Sequence, residues 1–212
     1  MTNPNQKIHT WQAGECNITI KSFCNPDDIA LLSLKDTFVE SSNYNPILSK
    51  KESLISASLQ PDANVTIAYT DERKIVGISI LQYPSPVERW VKIENSVMME
   101  VSVVEVATKW RSRGLAKKLF ELLFEHPLKE YRIIYMVGYS WTWDVAGTGI
   151  SVIEYRNMLI RLFSYFGFRI YPTNDPNVML CPENLFMARI GTNISENVQM
   201  KFKRLRFNLD NI

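Results

Sequence analysis

Cysteine, histidine and glycine are sparse in this chain of 212 residues, which holds three, two and eight of them. The cysteines Cys16, Cys24 and Cys181 are odd in number, show no C-x-x-C spacing and form no cluster with His9 or His126. A disulfide scaffold and a Cys/His zinc site are therefore excluded, and no metal is expected. An excess of either charge is also missing. Twenty-four Lys and Arg against 22 Asp and Glu leave a formal net charge of +2, too balanced for a protein that must offset many phosphates, so no nucleic-acid partner is expected. No apolar run approaches the ~20 residues that span a bilayer, and the opening MTNPNQKIHTW lacks the charged-then-apolar layout of a signal peptide. The expectation is a soluble, cytoplasmic protein with no membrane partner.

What is present is a hydrophobic share of 46%, enough for a real core in one domain over residues 1–212. Alternation predicts a short strand over 17–23. Asn25-Pro26-Asp27-Asp28 then opens a helix, with a cap followed by Pro at the first helical position and an apolar stripe of Ile29, Leu32, Phe38 and Val39. A second helix is expected over 46–59, and a hairpin over 64–69 and 75–82 around Asp71-Glu72-Arg73-Lys74. Residues 97–106 are the most strand-like run. Leu115, Leu119, Leu122 and Leu123 follow at helical spacing, and Pro127 stops that helix. A strand over 131–139, a helix over 150–166, strands over 168–171 and 185–190, and a terminal helix over 195–207 striped by Ile194, Val198, Phe202 and Leu205 complete a mixed α/β domain whose core covers about 17–191.

The strand at 97–106 runs into Arg111-Ser112-Arg113-Gly114-Leu115-Ala116 and then directly into a helix. Gly114 lets the backbone approach a ligand and Ala116 keeps the helix entrance open, so the free N–H groups of the first turn can face phosphates, with Arg111, Arg113, Lys117 and Lys118 adding positive charge. A plain strand-to-helix turn with a solvated basic rim is the competing reading. Two other phosphate loops do not fit. Gly-Lys-Ser/Thr is absent, and Gly147-Thr148-Gly149 lacks the third glycine of a dinucleotide fingerprint.

Arg111, Gly114 and Ala116 fall on the acetyl-CoA pattern Gln/Arg-x-x-Gly-x-Gly/Ala, and with Gly167-Phe168 and the element order they resemble the GNAT superfamily of N-acetyltransferases. The blocks Tyr83-Pro84-Ser85-Pro86-Val87-Glu88-Arg89-Trp90, Tyr139-Ser140-Trp141-Thr142-Trp143-Asp144, Gly147-Thr148-Gly149, Glu154-Tyr155-Arg156, Met187-Ala188-Arg189-Ile190-Gly191 and Arg204-Leu205-Arg206-Phe207 look like one family within it, the acetoin-utilisation acetyltransferases (AcuA). The resemblance spans roughly 80–207 and is loose over the first 60 residues. It implies the GNAT fold, a mixed, mostly antiparallel sheet of about six or seven strands flanked by about four helices plus a terminal one. It also implies an acetyl-CoA-dependent protein-lysine acetyltransferase that inactivates acetyl-CoA synthetase.

Under that resemblance a carboxylate must relieve the acceptor of its proton, because a free lysine amine has a pKa of ~10.4 and only its neutral form attacks a thioester. Glu100, eleven residues before Arg111, stands at the spacing several histone-type members use, and Glu105 is the second candidate. In an undistorted strand positions 100, 102, 104 and 106 share one face and Glu105 the other; a bulge reverses that. Either glutamate can instead be a strand-face carboxylate with a basic neighbour. Backbone N–H groups near Val104 to Val106 can meet charge on the thioester carbonyl and hold the pantetheine arm, Arg111 to Lys117 the pyrophosphate, and Asn157 the cofactor arm. The superfamily's acid tyrosine, four residues before Gly-Phe, is replaced by Phe163, leaving Tyr155 or Tyr165 as acid, or none.

Tyr139, Trp141 and Trp143 alternate, so an extended chain shows three aromatics on one side, either as a wall for a lysine stem or as packing. Asp144 can steer an ammonium or begin the turn to Gly147. His126 reads as capping or solvent-facing, and the basic 201–206 stretch as the solvated side of a docked helix or a partner surface. The rivals are a small-amine acetyltransferase and a non-catalytic acyl-CoA-binding module.

Overall fold

The computed structural model describes residues 3–14, 16–34, 38, 50–93 and 96–209. The strands, in chain order, are β1 (Ile8–Ala13), β2 (Cys16–Lys21), β3 (Asn64–Thr70), β4 (Ile75–Gln82), β5 (Met98–Val106), β6 (Ile133–Gly138), β7 (Arg169–Ile170) and β8 (Leu185–Ile190). The helices are α1 (Pro26–Ala30), α2 (Lys51–Ser58), α3 (Leu115–Leu123), α4 (Val145–Thr148), α5 (Val152–Tyr165), α6 (Pro176–Met179) and α7 (Glu196–Leu205). The strands form one eight-stranded sheet in the order β1-β2-β3-β4-β5-β6-β8-β7. The pairs β1/β2, β2/β3, β3/β4, β6/β8 and β7/β8 are antiparallel, and β5/β6 is parallel. The mixed, mostly antiparallel sheet of the GNAT fold is therefore present, with one strand beyond the expected number. The added strand is β1, whose polar IHTWQA run carries little apolar alternation and pairs only with β2 at the sheet edge.

Local chemistry sets the helix boundaries. Asn25 caps α1 in a reciprocal box with Asp28 behind Pro26, as expected, but α1 ends at Ala30; Leu32 and Phe38 are buried beyond it, and Val39 lies outside the described residues. Helix α2 starts at Lys51, and the expected start at 46 also lies outside them. Ser151 and Glu154 form a capping box on α5. Among the described residues no helix is long and apolar enough to cross a membrane.

Contacts divide the chain into two compact units, Met1–Gln82 with Val101–Pro127, and Tyr83–Glu100 with Leu128–Ile212. In the first, two apolar clusters are built on β2–β5. Ile67, Ile78, Ile80, Val103 and Ala107 pack with Ile29 of α1 and Leu54 of α2, and Ile18, Ile20, Val76 and Val106 pack with Leu115, Leu119 and Leu122 of α3. Gly77 is what lets α3 lie so close, since a Cβ there would come 2.9 Å from Leu119 Cδ1. In the second unit Met98, Ile133, Tyr135, Phe186 and Ala188 pack on Val198, Phe202 and Leu205 of α7, with Trp90 stacked on Phe186 at 4.6 Å. The terminal helix is thus docked on its apolar stripe. Arg206 is buried with it, its guanidinium 4.7 Å from the Tyr171 ring and donating to the Pro172 carbonyl at 3.0 Å.

Candidate active site

In the first unit, β5 leads through a 3-10 turn at Thr108–Trp110 into the loop that opens α3. Gly114 is the residue before the first helical turn, at φ +86°, and no heavy atom lies within 4 Å of where its Cβ would stand. Glycine is needed there for its backbone conformation, and the space beside it is open. Ser112 also has positive φ, +59°. No side chain caps α3, which leaves its first-turn N–H groups as donors for a ligand or water. Leu115 is buried in the core and Ala116 packs partly on it, so both serve the loop through their backbone. Arg111 Nε donates to the Val106 carbonyl at 2.8 Å, tying the loop back to β5. The Arg113 guanidinium lies 5.6 Å from the Trp110 ring centroid and is otherwise exposed, Lys117 is exposed, and Lys118 pairs with Glu121 at 2.7 Å.

The same unit holds an open cavity of about 450 Å³ lined by Glu52, Ser53, Ser56, Gln60, Gln82 and Ser102 among others. Gln82 Oε1 and Ser102 Oγ are buried without a hydrogen-bond partner. Sequence reasoning missed both, since nothing in their local pattern separates them from ordinary strand residues. Glu105 is buried at 6% exposure. Val104 is partly buried and Val106 buried.

In the second unit, β5 runs beside β6 with Met98 opposite Ile133, Met99 opposite Ile134 and Glu100 opposite Tyr135. In-register parallel neighbours point to the same face, so Glu100 stands on the side where Met98 and Tyr135 enter the core. Tyr135 is fully buried, and its hydroxyl donates to Glu88 Oε2 at 3.0 Å, while the Ser85 amide donates to Glu88 Oε1 at 3.0 Å. Burial, and after it the charge of Glu88, pushes the Glu100 carboxyl up to about 7. Burial, with Glu100 and Glu88 adding, holds the Tyr135 phenol well above its usual range, so it remains a neutral donor. Glu88 lies in a family-like block, but its pairing with Tyr135, 47 residues away, has no local signal in the sequence.

The aromatic run departs from expectation. Residues Ser140–Thr142 form a 3-10 turn, not an extended chain, with Ser140 N–H held by Asn184 Oδ1 at 2.7 Å and Thr142 N–H by the Tyr139 carbonyl at 2.9 Å. The three rings therefore do not share one side. Tyr139 stacks on Trp141 at 4.8 Å, and Trp143 stacks on Tyr155 of α5 at 5.3 Å. Trp141 is 52% exposed. Asp144 is buried and caps α4, accepting the Gly147 N–H at 2.9 Å, so of its two readings the turn is the one it fills. Burial and Asp175 raise the Tyr139 phenol. Asn157 is exposed on α5, as is Tyr165, while Phe163 is buried edge-on to Phe168 at 5.1 Å. His126, read as capping or solvent-facing, is instead buried in the first unit with Nε2 2.8 Å from the Asp62 carbonyl.

No protein-family model matches the chain. Among curated proteins, it is 31% identical over 196 residues to the acetoin utilization protein AcuA of Bacillus licheniformis, covering 92% of this chain and 91% of that one. It is 32% identical over 164 residues to AcuA of Bacillus subtilis, covering 77% and 78%. Among solved structures, an acetoin utilization protein from Exiguobacterium sibiricum superposes with a TM-score of 0.85 at 26% identity, over 96% of this chain and 94% of that one. Similarity of that extent, over a GNAT-type sheet and the Arg111–Ala116 loop, means that the chain belongs to the acetoin utilization protein AcuA family, N-acetyltransferases of the GNAT superfamily.

Proposed function

We propose that the protein is an acetyl-CoA-dependent protein-lysine N-acetyltransferase that acts on acetyl-CoA synthetase by direct transfer, with Glu100 as general base. Membership of the AcuA family supports the activity. What supports Glu100 as the base is its place on β5 opposite the buried Tyr135, where burial and the Glu88 charge push its carboxyl up to about 7, the range in which a side chain both holds and releases a proton at neutral pH.

Acetyl-CoA, when bound, supplies the acetyl group as a thioester. The loop residues suit such a donor: open space beside Gly114, uncapped first-turn N–H groups of α3 and the Arg111, Arg113 and Lys117 side chains match a pyrophosphate in shape and charge. Backbone N–H groups of Val104 to Val106 hold the pantetheine arm and donate to the carbonyl oxygen as it gathers charge. Glu100 accepts the proton that leaves the lysine ammonium, since the ordinary amine is protonated at neutral pH. Glu105, buried on the same strand, is the second candidate for that proton. Tyr155 of α5 is the candidate to return a proton to the departing thiolate, and Asn157 to hold the cofactor arm.

The test is the intact mass of acetyl-CoA synthetase after incubation with this protein and acetyl-CoA, beside Glu100→Gln and no-enzyme controls. One added acetyl group with the native protein, a large loss with Glu100→Gln, and falling synthetase activity are expected. No added mass, with acetyl-CoA binding verified separately, sinks the acceptor assignment. Undiminished turnover by Glu100→Gln moves the base to Glu105 or to water.

A further inference from the structure

The Tyr83–Trp90 block is one of the family-like segments to which the reaction gives no task, and its one acid, Glu88, is held in a specific way. Both carboxylate oxygens are engaged, Oε2 by the Tyr135 hydroxyl and Oε1 by the Ser85 amide, each at 3.0 Å. Tyr135 is held in place, because its ring is fully buried and packs against the stacked pair of Trp90 at 5.3 Å and Phe186 at 5.8 Å. It is also the ladder partner of Glu100, on the same face of the sheet. The phenol therefore holds one carboxylate at its hydroxyl and has another beside it on β5.

We propose that Glu88 is a positioning residue for the base: the Tyr135 hydroxyl and the Ser85 amide pin its carboxylate beside Glu100, and its fixed negative charge makes Glu100 the stronger proton acceptor. This rests on the reading of Glu100 as the base. Among the described residues neither Glu88 nor Glu100 takes part in an ion pair. Other titratable and charged groups around the pair are the neutral Tyr135 of β6 and Tyr139 after it, Asp175 with Arg89 paired to it at 3.4 Å, and Arg132, which donates to the Tyr83 hydroxyl at 3.4 Å. Glu88 is a like charge beside Glu100, so the energy of adding a proton to Glu100 includes relief of like-charge repulsion. In the reaction, the N–H bond of the acceptor ammonium breaks, an O–H bond forms on Glu100, and the amine keeps the electron pair.

The experiment uses the full chain with ¹³Cδ-labelled glutamate, following carboxyl titrations by NMR, which needs no acceptor, alongside the pH profile of kcat. The resonance with a midpoint near 7 should vanish in Glu100→Gln, which identifies it. In Glu88→Gln the midpoint and the acid limb of kcat should both fall by about 1 pH unit, and the alkaline plateau by about threefold as the base weakens. Tyr135→Phe keeps both charges and loses only the pin, so it should move both in the same direction by less. A midpoint and acid limb unmoved in Glu88→Gln overturn the proposal, as does an unmoved pair in Tyr135→Phe if Glu88→Gln fails to fold. A native acid limb in Glu100→Gln is a different failure, that of the base assignment itself.

Discussion

Glu100 shows how a useful proton affinity conflicts with stability. Its folded-state affinity lies above the ordinary carboxylate value of 4.5, so the folded chain holds this proton more tightly than the unfolded chain. The resulting stabilisation is full below about 4.5 and is lost as pH rises through about 7. Glu100→Gln, neutral at every pH, should therefore unfold at a higher temperature than the native protein at about pH 8.5, with the gap closing by about pH 5. Thermal unfolding by circular dichroism reads this directly, and an equal gap at both pH values would contradict it. Gly114 makes the opposite case, where one residue is set by backbone geometry. Gly114→Ala puts a Cβ into open space yet at φ +86°, costing about 1–2 kcal/mol, so the fold should persist while acetyl-CoA binding, measured by calorimetry, weakens severalfold. Binding at native strength would mean the loop does not need the left-handed turn.

At the scale of elements, α3 and α5 are stabilised by different forces. Helix α3 buries Leu115, Leu119, Phe120, Leu122 and Leu123, and its leucine spacing was legible for that reason. Leu119→Ala should cost about 2–5 kcal/mol in denaturant unfolding. Helix α5 has Phe163 as its one buried residue among those described and relies on the Ser151–Glu154 box at its start. Ser151→Ala should cost about 1 kcal/mol, and a loss as large as that of Leu119→Ala would show that the cap is not acting locally. The stretch at 139–143 was misread as extended because alternating aromatics are the mark of a strand. The Asn184 side chain that holds Ser140 in a 3-10 turn lies 44 residues away, beyond any local pattern. Strand β1 was missed for the converse reason, since an edge strand with exposed Ile8 need not alternate.

Across the whole molecule the three free cysteines sample three environments. Cys16 is exposed, Cys181 partly buried, and Cys24 buried at 3% exposure, where burial pushes its thiol up to about 12. Because the thiolate is the reactive form, alkylation of the folded chain should modify Cys16 first and Cys24 only after unfolding, with intact mass and peptide mapping as the readout. Native-state labelling of Cys24 at the rate of Cys16 would contradict its packing with Ile29 of α1 and Leu54 of α2. The family-like blocks also divide by task at this scale. Arg189 is tied to Glu130 at 2.5 Å and Arg206 to Pro172, both serving the scaffold, whereas Glu88 accepts from the buried Tyr135 hydroxyl.

The amino-acid sequence alone determined the hairpin, the long β5 run, the leucine-striped α3 and the Arg111–Ala116 loop, because hydrophobic period and glycine placement act over a few residues and do not depend on distant partners. The spacing of Glu100 from that loop drew attention only through the resemblance to the GNAT superfamily. Only the tertiary structure decided which acids differ chemically. The proton affinity of Glu100 is set by burial and by Glu88, and the position of Glu88 is set by a phenol on β6. Desolvation and like-charge repulsion exist only once chain segments far apart in sequence have been brought together.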